Sequence, residues 1–351
     1  MNIAIIYGGR SSEHDISVIT ACLSKRLFDG KIYGIYFDKQ NRCFLAPDDL
    51  PPKRHSSYKF KNNVSFLLGE RAIKVSRGCF SKVIPLDVAV NCCHGVCGED
   101  GSVAALCNYA DIPLVGSDVV PSAVAMDKIV TKQVLAGCGF PVLEGFGIAK
   151  WDSVDDVTFP VVVKPSQLGS SIGVSVANNS EELSAALSVA FTYSDKVLVE
   201  RALTDFSEYN CSAFLSCGKV HCSVVAKPIT SHQILTFADK YVGGCKVEVE
   251  TQDGQTAVDV QTLTEQIYTK IGFSGVIRVD YLLDNQSGKL YVNEINSVPG
   301  SLGYNLWSAS LPPRQFGKLL IEQAIAEKAN RRKLITDYVS DVLNLGSAKK
   351  P

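Results

Sequence analysis

Lys164-Pro165-Ser166-Gln167-Leu168-Gly169-Ser170-Ser171-Ile172-Gly173 decides how this chain is read. It follows the apolar run Phe159-Pro160-Val161-Val162-Val163, so a strand ends in a lysine and opens into a loop of small residues. Such a loop lets backbone N–H groups approach an anion closely, as phosphate-cradling loops do. The lysine precedes the glycines, which separates the loop from a Walker A motif. A tight hairpin turn with a solvated lysine is the competing reading of the same residues.

A second constellation lies downstream, in Arg278-Val279-Asp280 and Val292-Asn293-Glu294-Ile295-Asn296. The two-residue period of a strand puts Arg278 and Asp280 on one face, and Glu294 and Asn296 on one face of the next strand. Pairing of the two strands would gather two carboxylates and an amide oxygen beside a cation. Hard oxygen donors of this kind suit Mg²⁺, which completes its shell with water and substrate phosphates. Surface ion pairs are the competing reading, but both strands are otherwise apolar and unpaired buried carboxylates are costly. A phosphate loop together with magnesium-binding strands points to ATP.

Toward the N-terminus the pattern alternates between strand and helix. Ile3–Tyr7 reads as a buried strand, followed by Gly8-Gly9-Arg10-Ser11-Ser12-Glu13 and a helix with Ile16, Ile19, Cys22, Leu23 and Leu27 along one face. Ser12, three residues before Asp15, supplies a start signal for that helix. Strands are expected at Lys31–Phe37 and Leu86–Val90, the latter running into a Cys/His loop. This alternation predicts a parallel α/β sheet, whose ligands collect at the carboxyl ends of the strands, where Gly8–Glu13 and His94–Gly101 fall. Asn179 and Glu182 form a capping box for a later helix. From Glu208 the pattern is rich in strands, with helices at Ala257–Ile271 and Phe316–Ala326. A surface helix carrying Leu334, Tyr338, Val342 and Leu345 is expected in the tail.

Composition narrows the function classes. In 351 residues, 35 Lys and Arg stand against 36 Asp and Glu, so no net field recruits nucleic acid or an anionic membrane. An apolar share of 46% argues against general disorder, and 351 residues are too many for one minimal core, so two or three subdomains are expected. No window approaches a membrane span and the N-terminus lacks the pattern of a signal peptide, so an intracellular protein is expected. Twelve cysteines include a single cluster, Cys92-Cys93-His94-Gly95-Val96-Cys97, with no second ligand pair at zinc-site spacing. They read as small, reduced apolar residues.

Taken in order, these motifs resemble the D-alanine–D-alanine ligases. The likeness runs from Tyr7–Glu13 through His94-Gly95, Gly98–Ser102, Ile112–Ser117, Ser122–Lys128 and Lys164–Gly173. It continues through Asp239-Lys240-Tyr241, Arg278–Asp280 and Asn293–Gly300 to Gly317–Leu320. Several motifs in the right order carry far more weight than one. The resemblance implies an ATP-grasp fold, α/β with an α+β C-terminal part, behind a Rossmann-like N-terminal domain. Its divisions would be 1–118, 119–203 for a small central subdomain, 204–328 for the subdomain with metal and catalytic residues, and 329–351 as a tail.

The resemblance also implies roles. Lys128, Lys164, Ser170 and Ser171 would hold the ATP phosphates, Glu200 and Leu203 would meet the adenine, and Glu208 the ribose. Asp280, Glu294 and Asn296 would hold two Mg²⁺ ions, with Mn²⁺ as a substitute. Glu13 would receive the amino group of the first D-alanine within a set that includes Ser170 and Tyr241, and His94 would line that pocket. Arg278 and the N–H of Gly300 would stabilise the tetrahedral intermediate. Ser231–Gly244, with Lys240 and Tyr241, would close as a lid. Ser301 and Leu302 would hold the second substrate's carboxylate, which leaves D-serine or another D-amino acid open as second substrate. A nucleotide-binding protein without turnover is the reading from another class. Otherwise the expectation is a bacterial cytoplasmic homodimer serving peptidoglycan synthesis, with no nucleic-acid or membrane partner.

Overall fold

The computed structural model describes residues 1–154, 156–229, 248–335, 338 and 340. The N-terminal part contains β1 (Asn2–Gly8), α1 (His14–Ser24), β2 (Lys31–Phe37), β3 (Cys43–Ala46), β4 (Asn63–Leu67), β5 (Ala72–Arg77), β6 (Phe80–Pro85), β7 (Val88–Asn91), α2 (Ser102–Tyr109) and β8 (Leu114–Val115). Its sheet runs β6-β5-β4-β3-β2-β1-β7-β8. Only half of that sheet is parallel, as expected: β2, β1, β7 and β8. From β2 to β6 it is an antiparallel meander that the strand–helix alternation did not foretell. Ile3, Ile5 and Tyr7 face one core and Ala4 and Ile6 another, which is why β1 reads as an unbroken apolar run.

Next come α3 (Val119–Met126), α4 (Lys128–Gly137), β9 (Gly145–Ala149), β10 (Val161–Pro165), β11 (Ser175–Ala177), α5 (Ser180–Ala190) and β12 (Lys196–Arg201). The four strands form an antiparallel sheet, β11-β10-β12-β9, with its own core under α5. Asn179 caps α5 as read, accepting the Glu182 N–H at 2.9 Å, while the Glu182 carboxylate returns to the Asn178 N–H at 2.9 Å.

The remaining elements are β13 (Phe206–Ser216), β14 (Lys219–Cys222), β15 (Val225–Ile229), β16 (Glu248–Gln252), α6 (Gln255–Ile271), β17 (Val276–Asp284), β18 (Leu290–Asn296) and α7 (Pro313–Arg331). They build the antiparallel sheet β16-β15-β13-β17-β18, with β14 on β13. The largest core joins the first and last parts of the chain: Ile5 and Val90 pack in one cluster with Phe214, Tyr304, Trp307 and Phe316. Helix α7 ends at Arg331, inside the segment read as tail. Leu334, Ile335 and Tyr338 are exposed and outside any helix, which corrects the expected tail helix at its start; Val342 and Leu345 lie outside the described residues.

Candidate active site

Glu13 sits at the mouth of α1, between two glycines. A Cβ on Gly169 would lie 2.6 Å from its carboxylate, and one on Gly95 would lie 3.1 Å from it and 2.3 Å from Ser11 Oγ. Neither position admits a side chain. The Glu13 carboxylate accepts the Ser170 hydroxyl across the cleft and makes no cap bond to its own helix. Ser12, read as the start signal, does not cap either; Ser11 Oγ accepts the Glu13 N–H at 3.0 Å. Burial first, and then the charge of Glu99, push the Glu13 carboxyl above its ordinary pKa, against the opposing pull of Ser170, His94 and Lys128.

The apolar face read on α1 also needs correction. Ile19 and Leu23 are exposed, while His14, Ser17, Thr20 and Ser24 are buried. Each of the first three has a polar partner on the site side. Ser17 Oγ accepts the Gly8 N–H and donates to Cys92 O, both at 2.7 Å. His14 Nδ1 lies 2.7 Å from Gly9 O, and Thr20 Oγ1 lies 2.9 Å from His94 Nε2. Among the neighbouring cysteines, burial pushes the Cys92 thiol up to about 12 and the Cys93 thiol well above its ordinary value, so neither is a ready nucleophile.

Asp127 joins the phosphate loop to α4. Its carboxylate caps the helix by accepting the Ile129 and Val130 N–H groups at 3.0 and 3.2 Å, and it accepts Ser166 Oγ at 2.5 Å and Gln167 Nε2 at 3.0 Å. Partial burial opposes its charge, and these bonds outweigh burial and hold its pKa below the usual carboxylate range. The next residue, Lys128, donates its backbone N–H to Ser166 O at 2.9 Å and its Nζ to Leu168 O at 2.6 Å. The loop then turns through Ser170 and Ser171, both at positive φ of 56° and 57°. Non-glycine residues hold that conformation only where the surroundings enforce it, often at ligand clamps.

The loop does join the antiparallel pair β10 and β11, as the competing reading had it, but Lys164 is not solvated. It donates to Asn293 Oδ1 at 3.0 Å and pairs with Glu200, whose carboxylate is 3% exposed and also meets Lys132 at 2.8 Å. Burial disfavours the Glu200 anion, but the two lysines prevail and hold its pKa below the ordinary value. Lys132, which the sequence did not single out, further donates to Leu143 O at 2.6 Å. Glu200, Leu203 and Glu208 line a cleft of about 230 Å³ with apolar walls that include Val162, Val176 and Leu282.

The paired strands converge as expected: β17 and β18 are antiparallel, with Arg278 opposite Asn296 and Asp280 opposite Glu294. The register shifts after Asp280, where Tyr281 pairs with Val292 and leaves Asn293 as the bulged residue. The bulge explains how Asn293 and Glu294, adjacent in sequence, both line the cleft. Asp280 accepts four bonds: Arg278 Nε at 2.6 Å, Arg278 NH2 at 2.8 Å, Asn210 Nδ2 at 2.7 Å and Asn296 Nδ2 at 3.0 Å. Asn210 on β13 stands opposite Asp280 and had escaped the sequence reading. Asn296 thus keeps its amide oxygen for another partner, and Glu294 is 30% exposed, 4.0 Å from Lys128. Oxygen donors of this type fit a hard divalent cation, provided Arg278 yields its place on Asp280.

Glu99 ties the two ends of the chain together. One carboxylate oxygen accepts the Gly95 N–H at 2.8 Å and the other the Val298 N–H at 3.2 Å. A small pocket holds Glu13, Glu99, Gly169 and Asn296, and it shares Lys128, Leu168, Asn293 and Glu294 with the large cleft.

A profile of the D-ala D-ala ligase N-terminus matches residues 2–117, and one of the D-ala D-ala ligase C-terminus matches 149–312. The D-alanine–D-alanine ligase of a Nitratiruptor species is 31% identical over 355 residues, spanning 100% of both chains. That of a Thermoanaerobacter species is 30% identical over 88% of this chain and 91% of its own. The solved D-alanine–D-alanine ligase of Coxiella burnetii superposes with a TM-score of 0.82 at 25% identity, covering 95% of this chain and 96% of that one. The chain belongs to the D-alanine–D-alanine ligase family. It is therefore a ligase with the ATP-grasp fold.

Within that family frame, most of the anticipated site residues lie around the two connected cavities. Glu13, Lys128, Glu294 and Asn296 line the smaller, and Lys164, Ser171, Glu200, Leu203 and Glu208 the larger. Ser170 meets them through Glu13, and Arg278 meets Asp280. Leu302 requires correction: it is 2% exposed in the main core and its N–H donates to Pro299 O at 2.8 Å, so neither side chain nor amide is left for a substrate. Ser301 stays half-buried. Lys240, Tyr241 and the rest of the Ser231–Gly244 lid lie outside the described residues.

Proposed function

We propose that this ligase phosphorylates the carboxylate of one D-alanine with ATP and passes the acyl group to the amine of a second, releasing ADP, phosphate and D-alanyl-D-alanine. The supporting observation is the meeting of the two cavities at Lys128 and Glu294, which puts a nucleotide cleft against a pocket built around a buried carboxylate. The ammonium of the first D-alanine is received by Glu13, held by Ser170 and completed by Tyr241, beside His94. Lys128, Lys164 and Ser171 draw the triphosphate into line. The adenine lies among the apolar walls near Leu203, with Glu200 meeting it through the main chain, and the ribose reaches Glu208.

Asp280, Glu294 and Asn296 are the residues that would hold magnesium, two ions in this reading with Mn²⁺ as a substitute, and the metal would supply charge neutralisation between phosphate and carboxylate. Transfer of the γ-phosphoryl group to a carboxylate oxygen makes an acyl phosphate. The second amine then attacks its carbonyl carbon and phosphate leaves. Arg278 and the Gly300 N–H face the oxyanion that forms, where loss of one donor costs about 3 kcal/mol. Lys240 and Tyr241 belong to the lid that keeps water from the acyl phosphate.

No described helix is long and apolar enough to cross a membrane. The proposal places the enzyme in the bacterial cytoplasm as a homodimer making a peptidoglycan precursor. Mass analysis of products from ATP, Mg²⁺ and a mixture of D-alanine, D-serine and D-lactate tests it. D-alanyl-D-alanine as the main product supports the reading, a mixed D-alanyl-D-serine product would move the second substrate, and phosphate release indifferent to D-alanine would end it.

A further inference from the structure

The segment Val298–Leu302 carries the N–H that the proposed chemistry uses, and its amides can be followed one by one. Val298 N–H goes to Glu99 Oε1 at 3.2 Å. Pro299 has none. Ser301 N–H goes to Thr20 Oγ1 at 3.3 Å, and Leu302 N–H to Pro299 O at 2.8 Å. Among the described residues, only the Gly300 N–H of this segment finds no acceptor. A Cβ on Gly300 would meet nothing within 4 Å, so this glycine borders open space while its neighbours are fixed. Ser301, Leu302 and Gly303 follow at positive φ of 52°, 56° and 67°, a run that persists only where surroundings enforce it.

We propose that Thr20 is a positioning residue for acyl transfer: its hydroxyl pins the peptide plane after Gly300 while the Leu302 N–H holds the plane before it through Pro299 O, and the two together aim the Gly300 N–H at the developing oxyanion. The inference rests on the ligase reading. Thr20 is 2% exposed and lies seven residues after Glu13, two helical turns along α1. Its Oγ1 also lies 2.9 Å from His94 Nε2. A hydroxyl has one proton to give and lone pairs to receive, so it can donate to the imidazole while accepting from Ser301. Helix α1 therefore carries both the receiver of the first amino acid and the anchor of the oxyanion donor. The two halves of the reaction are set from one rigid element, with Glu99 holding the other end of the turn. A glycine has little stiffness of its own, and this one leads into a left-handed run, which is why the anchors matter.

The test compares Thr20→Val, which keeps the shape and removes the acceptor, with Thr20→Ser and Thr20→Cys, which keep a strong and a weak acceptor. Measured for each are kcat for dipeptide formation, KM for ATP and D-alanine, thermal unfolding, and inhibition by a phosphinate dipeptide analogue with tetrahedral phosphorus. Thr20→Val should lower kcat about tenfold or more, because small misplacements of positioned groups are costly. It should weaken the phosphinate by a similar factor and leave KM for ATP within about twofold, while Thr20→Ser stays near the parent. Should Thr20→Val fail to fold, a fall of Thr20→Cys below Thr20→Ser in both kcat and phosphinate affinity supports the inference equally. Equal kcat and equal phosphinate affinity across the series, with only the unfolding temperature changed, would overturn the inference and leave Thr20 a structural residue. A parent enzyme that forms no dipeptide would instead strike the ligase reading itself.

Discussion

Replacing Glu200 by glutamine is the most revealing single perturbation of the proposed nucleotide cleft. The Glu200 carboxylate is 3% exposed and holds Lys132 at 2.8 Å on one side and Lys164 on the other. Charge-assisted hydrogen bonds of this kind contribute roughly 1.5–3 kcal/mol each, and breaking a buried pair from one side costs about 3–5 kcal/mol. Glutamine keeps one acceptor but leaves two ammonium groups without a compensating charge, so about 3 kcal/mol is expected for Glu200→Gln. For a chain of this size that lowers the unfolding temperature by roughly 4 °C. The same change frees Lys164 from one of its two anchors, the other being Asn293 at 3.0 Å, and should raise KM for ATP about tenfold, or roughly 1.4 kcal/mol.

The sign of the pH dependence follows from the lowered pKa of Glu200. A carboxyl whose pKa is depressed by folding stabilises above its unfolded value, about 4.3, and loses that contribution as pH falls through the folded value. The stability gap between parent and Glu200→Gln should therefore be full at neutral pH and shrink in acid. A companion variant, Lys132→Met with Glu200→Leu, removes a charge from each side and should lose less than Glu200→Leu alone, since apolar replacement of a buried pair is often close to neutral. Thermal melts across pH and initial rates against ATP read all of this. An unfolding temperature and a KM for ATP both unchanged in Glu200→Gln would refute the account of Lys164.

The raised pKa of Glu13 makes KM for the first D-alanine climb as pH falls through that value, above the ordinary carboxyl range, and Glu99→Gln should move the acid limb to lower pH; a limb that stays in place would show that Glu99 does not act on Glu13. Asp127→Ala removes a helix cap and the bonds from Ser166 and Gln167, costing about 2 kcal/mol by denaturant melts and weakening ATP binding through Lys128; a loss of stability with unaltered ATP affinity would break that link. Arg278→Ala and Glu294→Gln should each lower kcat by at least about a hundredfold with far-UV circular dichroism intact, and near-normal turnover in either would contradict its assigned role.

Regular periodicity carried the sequence reading a long way, and it failed where polar groups had work at the site. The β17–β18 face was legible because strand alternation is rigid, and the observed register places Asp280 opposite Glu294. Asn293 was lost because a bulge breaks that alternation, and no local pattern marks a bulge within an apolar strand. The stripe read on helix α1 held only in part: Ile16 and Leu27 are buried, but Ile19 and Leu23 are exposed, and Ser17, Thr20 and His14 turn inward toward Gly8, His94 and Gly9. Local rules fail at functional positions in just this way. The β3–β6 meander was missed for a plainer reason. Its outer strand β6 is exposed along most of its length, so hydrophobicity marks it weakly. Glu99 and Asp127 stood inside recognised motifs, yet their partners Val298 and Ser166 are 199 and 39 residues away, beyond any spacing rule.

On the proposed reading, the charges of the small pocket explain why it would take an amino acid and not an arbitrary acid. Glu13 is buried and repelled by Glu99, with Ser170, His94 and Lys128 offsetting part of that cost. An ammonium group relieves both terms at once, because it pairs with the anion and screens it from its neighbour. A hydroxy acid brings no such charge and leaves the Glu13 carboxylate as costly as before. The substrate's own carboxylate cannot share that end of the pocket with Glu13 and Glu99, and is driven toward Lys128, where the cavity opens on the nucleotide cleft. Orientation of the first substrate thus follows from electrostatics before any shape is considered: amine inward, carboxylate toward the phosphates. That is the orientation phosphoryl transfer to the carboxylate requires.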